Sequence, residues 1–189
     1  ILKQLSVKEI VGEIEELDTD DAVDLISELP EKRQAEVIAQ IEDEERVQDI
    51  QELLSYDEDS AGGLMAKELV KVNENWTSTK CVREMRTQAS EVKRVHSIYV
   101  VDDENVLIGR LSLKDLLTAN EKAKVKSIFI PKVDYVNINE KGEEVAKLMA
   151  KYDLEAVPVV DDKKKLLGRI TIDDIVDFIK EEADKDYQL

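Results

Sequence analysis

Ser97–Leu117 (SIYVVDDENVLIGRLSLKDLL) and Ala156–Val176 (AVPVVDDKKKLLGRITIDDIV) decide the fold, because they are one unit written twice, 59 residues apart. Without gaps they agree at eight of 21 positions: Val100/Val159, Val101/Val160, Asp102/Asp161, Asp103/Asp162, Leu107/Leu166, Gly109/Gly168, Arg110/Arg169 and Asp115/Asp174. A tandem duplicate of this kind usually buries the open face of each copy against the other, so the pair matters more than either half. Two related clefts at such a joint suit ligand sensing better than catalysis.

Each copy reads β-α-β-β-α. In the first, a strand is expected over Leu69–Val72 and a helix over Thr77–Thr87, with Cys81, Val82 and Met85 inward. Ser97–Val101 and Val106–Leu111 are β-rich runs on either side of the polar turn 102–105, and a helix starts at Leu113. The second copy repeats this order: strand Tyr135–Ile138, helix Glu143–Tyr152, strands Val157–Val160 and Leu166–Ile170, helix Ile172–Glu182. Helical spacing predicts inward stripes of Val145, Leu148, Met149 and Tyr152, and of Ile172, Ile175, Val176 and Ile179.

Residues 1–60 read as short stacked helices. Ser6 and Glu9 fit a capping box ahead of Ile10, Ile14 and Leu17 on one face. The pattern returns about every twelve residues, aligning Ile14 with Ile26 and Ile38, and Leu17 with Leu29 and Ile41. Pro30 stands where a helix begins, with Glu31 in its first turn. Val47, Ile50, Leu53 and Leu54 form a further stripe, and Asp57–Gly63 breaks the pattern as the expected joint. The fold class is therefore α+β: an all-α stack over 1–62, then two β-α-β-β-α copies over 63–124 and 125–189.

Charge is concentrated at the front. Residues 1–60 carry 20 Asp/Glu against five Lys/Arg, a balance of −15, whereas the other 129 carry 24 against 22, a balance of −2. Such a surface repels nucleic acid and anionic lipid and attracts cations, so no nucleic-acid partner is expected. It also reads simply as a solvated acidic helix face. No apolar run approaches the ~20 residues of a membrane span. The chain starts at Ile1 without Met and stops in KEEADKDYQL, so a longer parent is expected. The single cysteine, Cys81, excludes an internal disulfide and fits a reducing compartment.

Gly109-Arg-Leu-Ser112-Leu-Lys-Asp115 and Gly168-Arg-Ile-Thr171-Ile-Asp-Asp174, closing each copy, resemble the ending of a cystathionine-β-synthase (CBS) domain. With the acidic helical segment in front, the joint Tyr56–Met65, Leu148–Asp153 and Val157–Asp161, the chain closely resembles the cytosolic region of MgtE-type magnesium transporters. The resemblance implies regulation, not catalysis: a helical N domain docks on a CBS pair when Mg²⁺ is high, bound ions bridge the two, and the pore closes. It also implies a homodimer through the CBS pair, a membrane domain after Leu189 as the chain's own partner, and a place on the cytoplasmic face of the cell membrane.

Carried over from the family's ion sites, the expected metal residues are Asp174, Asp177, Glu182 and Asp186 on the last helix, and Glu143, the Ala150 carbonyl and Asp153 before it. Asp59 in the joint is the expected N-domain contribution. Lys185 stands where the family often has an acidic residue, and Lys141 is a similar change. Independently, Asp174, Asp177, Glu181 and Asp184 follow helical spacing along one side. Mg²⁺ takes hard oxygen ligands, keeps several waters and needs only one or two carboxylates per ion. Two facing acidic surfaces repel until cations bridge them, and an ion held only in the closed state shifts the population by mass action.

An adenine-nucleotide-sensing CBS module acting on a protein partner is the alternative. Ser112, Lys114, Asp115 and Thr171 match the ribose- and phosphate-facing pattern for ATP, although Ser112 and Thr171 are also natural helix N-caps with Asp115 and Asp174 three residues on. Catalysis is the weakest reading. His96, the only histidine, sits beside a β-run, and Cys81 has no zinc partners or activating base in view.

Overall fold

The computed structural model describes residues 4–187; residues 1–3 and 188–189 of the expected outer segments lie outside it. The helical segment holds α1 (Val7–Glu16), α2 (Thr19–Ser27), α3 (Glu31–Ala39) and α4 (Glu44–Leu54). Ser6 caps α1, its hydroxyl accepting the Glu9 amide at 3.2 Å and donating to the Glu9 carboxylate at 3.0 Å. The twelve-residue repeat is the period of these helices plus their turns. It delivers Ile14, Ile26, Leu29 and Ile41 to the core and leaves Leu17 and Ile38 packed at its edge.

The joint is not loose. Ser60 caps a short helix, α5 (Ala61–Leu64), and the joint is hydrogen-bonded to the second copy. The Ala61 and Gly62 amides donate to the Glu140 and Ile138 carbonyls, and the Gly142 amide donates to the Asp59 carbonyl. Gly62 and Gly63 are required here. A Cβ on Gly62 would lie 2.7 Å from the Tyr56 ring, and one on Gly63 2.1 Å from the Asp57 carbonyl oxygen.

The first copy is β1 (Val70–Asn73), α6 (Ser78–Glu91), β2 (Ile98–Val101), β3 (Leu107–Leu111) and α7 (Leu113–Thr118). The second is β4 (Val136–Asn137), α8 (Gly142–Lys151), β5 (Ala156–Val160), β6 (Leu166–Thr171) and α9 (Ile172–Tyr187). Each sheet has three strands in sequence order, the first pair parallel and the second antiparallel. Tyr99, Val101 and Leu107 pack against Val160 and Leu166 between the copies. There the Leu107 amide donates to the Lys164 carbonyl and the Leu166 amide to the Asn105 carbonyl.

Most of the repeated residues prove to be structural. Asp102 and Asp161 each accept two amides within the hairpin turn, whose Asn105 and Lys164 both take positive φ. Asp103 and Asp162 accept the side-chain amides of Asn73 and Asn137. Gly109 and Gly168 admit the backbone of the segment leading into the other copy: a Cβ would lie 2.2 Å from the Ile130 oxygen in one case and 2.5 Å from the Ala66 oxygen in the other.

One core runs continuously from Ile10, Ile14 and Ile26 of the helical segment through Ala61 and Met65 to Met149, Val157 and Ile170 of the second copy. Two expected stripes are corrected. On α9 the buried pair is Ile175 and Phe178, while Ile172, Val176 and Ile179 are 38%, 41% and 50% exposed. The cause is Phe178, whose ring sits on Gly142 at the start of α8, where a Cβ would be 2.6 Å away. On α8 the helix stops at Lys151, so Tyr152 lies past it and half exposed, whereas Val145 and Met149 are buried.

Candidate functional site

The helical segment meets the second copy across a cleft of about 340 Å³ between α2 and α9. Ten carboxylates line it: Asp20, Asp21 and Asp24 from α2, Glu28 capping its C-terminus, Glu58 and Asp59 from the joint, and Asp174, Asp177, Glu181 and Glu182 from α9. Leu53, Leu54, Leu64 and Phe178 supply apolar lining. Lys185, 3.3 Å from Glu182, is the one cation among the described lining residues.

Helix periodicity builds both walls. Asp20 and Asp24 are four apart on α2, so they point the same way while Ala22, Val23 and Ile26 enter the core. Asp174, Asp177 and Glu181 follow the same rule on α9 around the anchor Phe178. Asp174 also starts its helix: its carboxylate accepts the Thr171 amide at 2.9 Å, and the Thr171 hydroxyl accepts the Asp174 amide at 3.4 Å.

The electrostatics of this cleft are unfavourable as it stands. Burial first, then the charge of Asp174, pushes the Asp20 carboxyl up to about 9, and Oδ1 of Asp20 is buried without a hydrogen-bond partner. Asp20 and Asp174 are close enough that a proton held between them hydrogen-bonds the pair. Burial also raises Asp24 to about 6, with Glu181 the next cause, and raises Asp21 with Asp174 the next cause. One carboxylate oxygen each from Asp18, Asp20 and Asp21 lies within 4.8 Å of the others, a spacing one hard cation can bridge. Partial relief comes from Arg169, 7% exposed, whose guanidinium is 3.5 Å from Asp18 and 3.8 Å from Asp174. Its repeat equivalent Arg110 is exposed, so the second copy has turned a shared residue toward the helical segment.

The model for the MgtE intracellular N domain matches residues 1–59, and that for the CBS domain matches 61–122 and 125–181. The crystal structure of the soluble part of a magnesium transporter superposes with a TM-score of 0.86 at 34% identity, covering 96% of this chain and 71% of that one. The cytosolic domain of the Mg²⁺ channel MgtE in complex with ATP gives a TM-score of 0.81 at 36% identity, covering 94% and 77%. The chain belongs to the MgtE family.

The magnesium transporter MgtE of Thermus thermophilus is 43% identical over 138 residues, which is 73% of this chain and 31% of that protein. MgtE of Enterococcus faecalis is 37% identical over 143 residues, 76% and 32%. The chain thus spans about a third of the length of these relatives, and among its described residues no helix is long and apolar enough to cross a membrane. The matched region in MgtE is a transporter's cytosolic domain. The similarity to the inosine-5'-monophosphate dehydrogenase of Methanocaldococcus jannaschii, 28% identical, covers 25% of that enzyme.

Of the residues expected to bind metal in this MgtE region, Asp59, Asp174, Asp177 and Glu182 line the cleft. Glu143, Ala150, Asp153 and Asp186 are exposed and outside it. The Ala150 carbonyl accepts the Asp153 amide at 3.4 Å, and Asp153 has a φ of 52°. Asp184, the fourth member of the α9 side, is likewise outside. Sequence reasoning missed Asp20, Asp21 and Asp24. The available signal was the i, i+4 spacing of Asp20 and Asp24 in the −15 segment, but nothing in the chain says that α2 faces α9.

At the other expected site, Ser112 caps α7, its oxygen 3.5 Å from the Asp115 amide, and Thr171 is buried as the cap of α9. Lys114 and Asp115 are exposed on α7. Of the residues outside both sites, Cys81 is buried beside Met85 with its thiol pushed up to about 11 by burial. Burial lowers His96.

Proposed function

We propose that this chain is the Mg²⁺-sensing regulatory region of a magnesium transporter, lying on the cytoplasmic side of the membrane and acting on a transmembrane domain of the same protein. The observation that carries the reading is Asp20, one of whose carboxylate oxygens is buried without a hydrogen-bond partner, set against Asp174 across the α2–α9 cleft. Carboxylates placed this way repel by about 1 kcal/mol per close pair in a water-like dielectric and by more where buried. Bound Mg²⁺ supplies the missing positive charge and accepts hard oxygen donors with its own waters retained.

The chain's residues do the rest. Asp20, Asp21 and Asp24 on α2, with Asp59 in the joint, present one set of oxygens, and Asp174, Asp177 and Glu182 on α9 present the other. When both sets are neutralised the helical domain stays against the second CBS copy, the compact form that inhibits transport. When the charge is left bare their repulsion opens the cleft, and transport resumes. Arg169 holds Asp18 and Asp174 in register between ion-loading events. A homodimer belongs to the same reading. Leu113 and Leu117 on α7 and their repeat equivalents Ile172 and Val176 on α9 stay exposed, an apolar face suited to a second copy.

The test is calorimetry with MgCl₂ on the chain and on Asp20→Asn and Asp177→Asn. The wild type should give saturable heats that both variants lose in large part; equal heats from all three would refute the assignment. A second reading, ATP binding in the first CBS cleft near Ser112, Lys114 and Asp115, is supported by the relative solved with ATP. The acidic Asp173–Asp174 pair makes the second cleft, beside Thr171, the poorer phosphate site.

A further inference from the structure

The helical domain is held to the CBS pair at a second place, where Arg46 and Lys67 pair directly with Glu68 and Glu52. The N-cap residue of α2, Asp18, makes no capping hydrogen bond. The cap comes instead from Glu68, 49 residues on, in the segment that leads into β1. Its carboxylate accepts the Thr19 amide at 3.0 and 3.2 Å and the Thr19 hydroxyl at 2.8 Å. Thr19, 1% exposed, accepts the Lys67 amide on its own hydroxyl at 2.8 Å. Arg46 lies 3.7 Å from Glu68 while donating to the Ile14 and Leu17 carbonyls, and Lys67 pairs with Glu52 on α4 at 2.9 Å. The protein supplies both cations of this knot, so it owes nothing to bound metal.

Resting on the proposed opening of the cleft when Mg²⁺ leaves, we propose that the Glu68–Thr19 knot is a metal-independent tether: it keeps the N-terminal end of α2 on the CBS pair, so the helical domain pivots instead of detaching. The physical reason is the asymmetry along α2. Its first residue, Thr19, is fixed by charge-assisted hydrogen bonds within one connected network, whereas the next residue, Asp20, and Asp24 a turn further on line the cleft against the carboxylates of α9. Loss of cations therefore pushes on the carboxylates that follow Thr19 along the helix, while Thr19 itself stays held by Glu68.

Spin-label distances on the full chain test this. Ser27→Cys with Lys185→Cys spans the acidic cleft, and Glu45→Cys with Glu91→Cys spans the neighbouring cleft beside the knot. In EDTA the first distance should lengthen and the second should stay as it is in magnesium. Adding Glu68→Ala should lengthen both and raise the magnesium concentration for half-closure about tenfold or more. Thr19→Val, which keeps the side-chain shape, should act in the same direction, with circular dichroism confirming that each variant folds. If both distances lengthen together in the unaltered knot, the tether is wrong. If neither responds to magnesium, the metal reading fails and Glu68→Ala still decides the tether: lengthening beside the knot supports it, and no change overturns it.

Discussion

Replacing Asp20 with asparagine should close the α2–α9 cleft without metal. Docked, the carboxyl is raised from 3.8 to about 9 by burial and by Asp174. Undocked, on a solvated helix, it returns to about 3.9. Asp20 therefore binds its proton more tightly in the docked form, and docking weakens as pH rises through the window from about 4 to about 9. At pH 7 the medium stands about three units above the undocked value. At about 1.4 kcal/mol per unit that costs about 4 kcal/mol, a factor of about a thousand in the docking equilibrium. Asparagine keeps the shape and removes the charge. In EDTA at pH 7 to 8 the variant should hold the compact form that the wild type approaches only near pH 5, and magnesium should add little. Limited proteolysis across pH 5 to 9 reads this. Wild-type cleavage independent of pH in EDTA, or a variant that tracks the wild-type slope, would refute the reasoning.

Three further perturbations separate the parts of the account. Arg169→Met leaves Asp18 and Asp174 facing each other unpaired, and removing one member of a buried pair costs about 3–5 kcal/mol. Its Tm should fall sharply in EDTA and recover in part with magnesium. Gly63→Ala forces a Cβ to 2.1 Å from the Asp57 oxygen, and overpacking of this kind costs about 1–3 kcal/mol, so the Tm should drop whether or not magnesium is present. Asp115→Ala should abolish ATP heats in calorimetry and leave the magnesium response intact; retained ATP binding would remove Asp115 from the nucleotide site.

The duplicated unit made the CBS architecture legible, because its identities are the residues that hairpin geometry demands: Asp102 and Asp161 in the turns, Gly109 and Gly168 under the entering backbone. The helical segment was legible for a similar reason, its helices and turns sharing one period. The acidic cleft was half legible. Asp174 and Asp177 could be read from α9, but Asp20 and Asp24 acquire their role only because α2 lies opposite, a tertiary fact with no local signal. The same limit explains α9. Its sequence is apolar on two sides, and which side packs is decided by Gly142, far away in the chain, making room for Phe178. Glu68 capping α2 from 49 residues away was invisible for the same reason.

The central claim, that bare carboxylates force the helical domain off α9 and neutralised ones let it return, is tested most directly by small-angle X-ray scattering through a magnesium titration. The account predicts a radius of gyration that shrinks saturably from EDTA to millimolar Mg²⁺ and does not shrink when the same ionic strength is reached with NaCl. Identical profiles from end to end of the titration, or compaction equal in sodium, would contradict it.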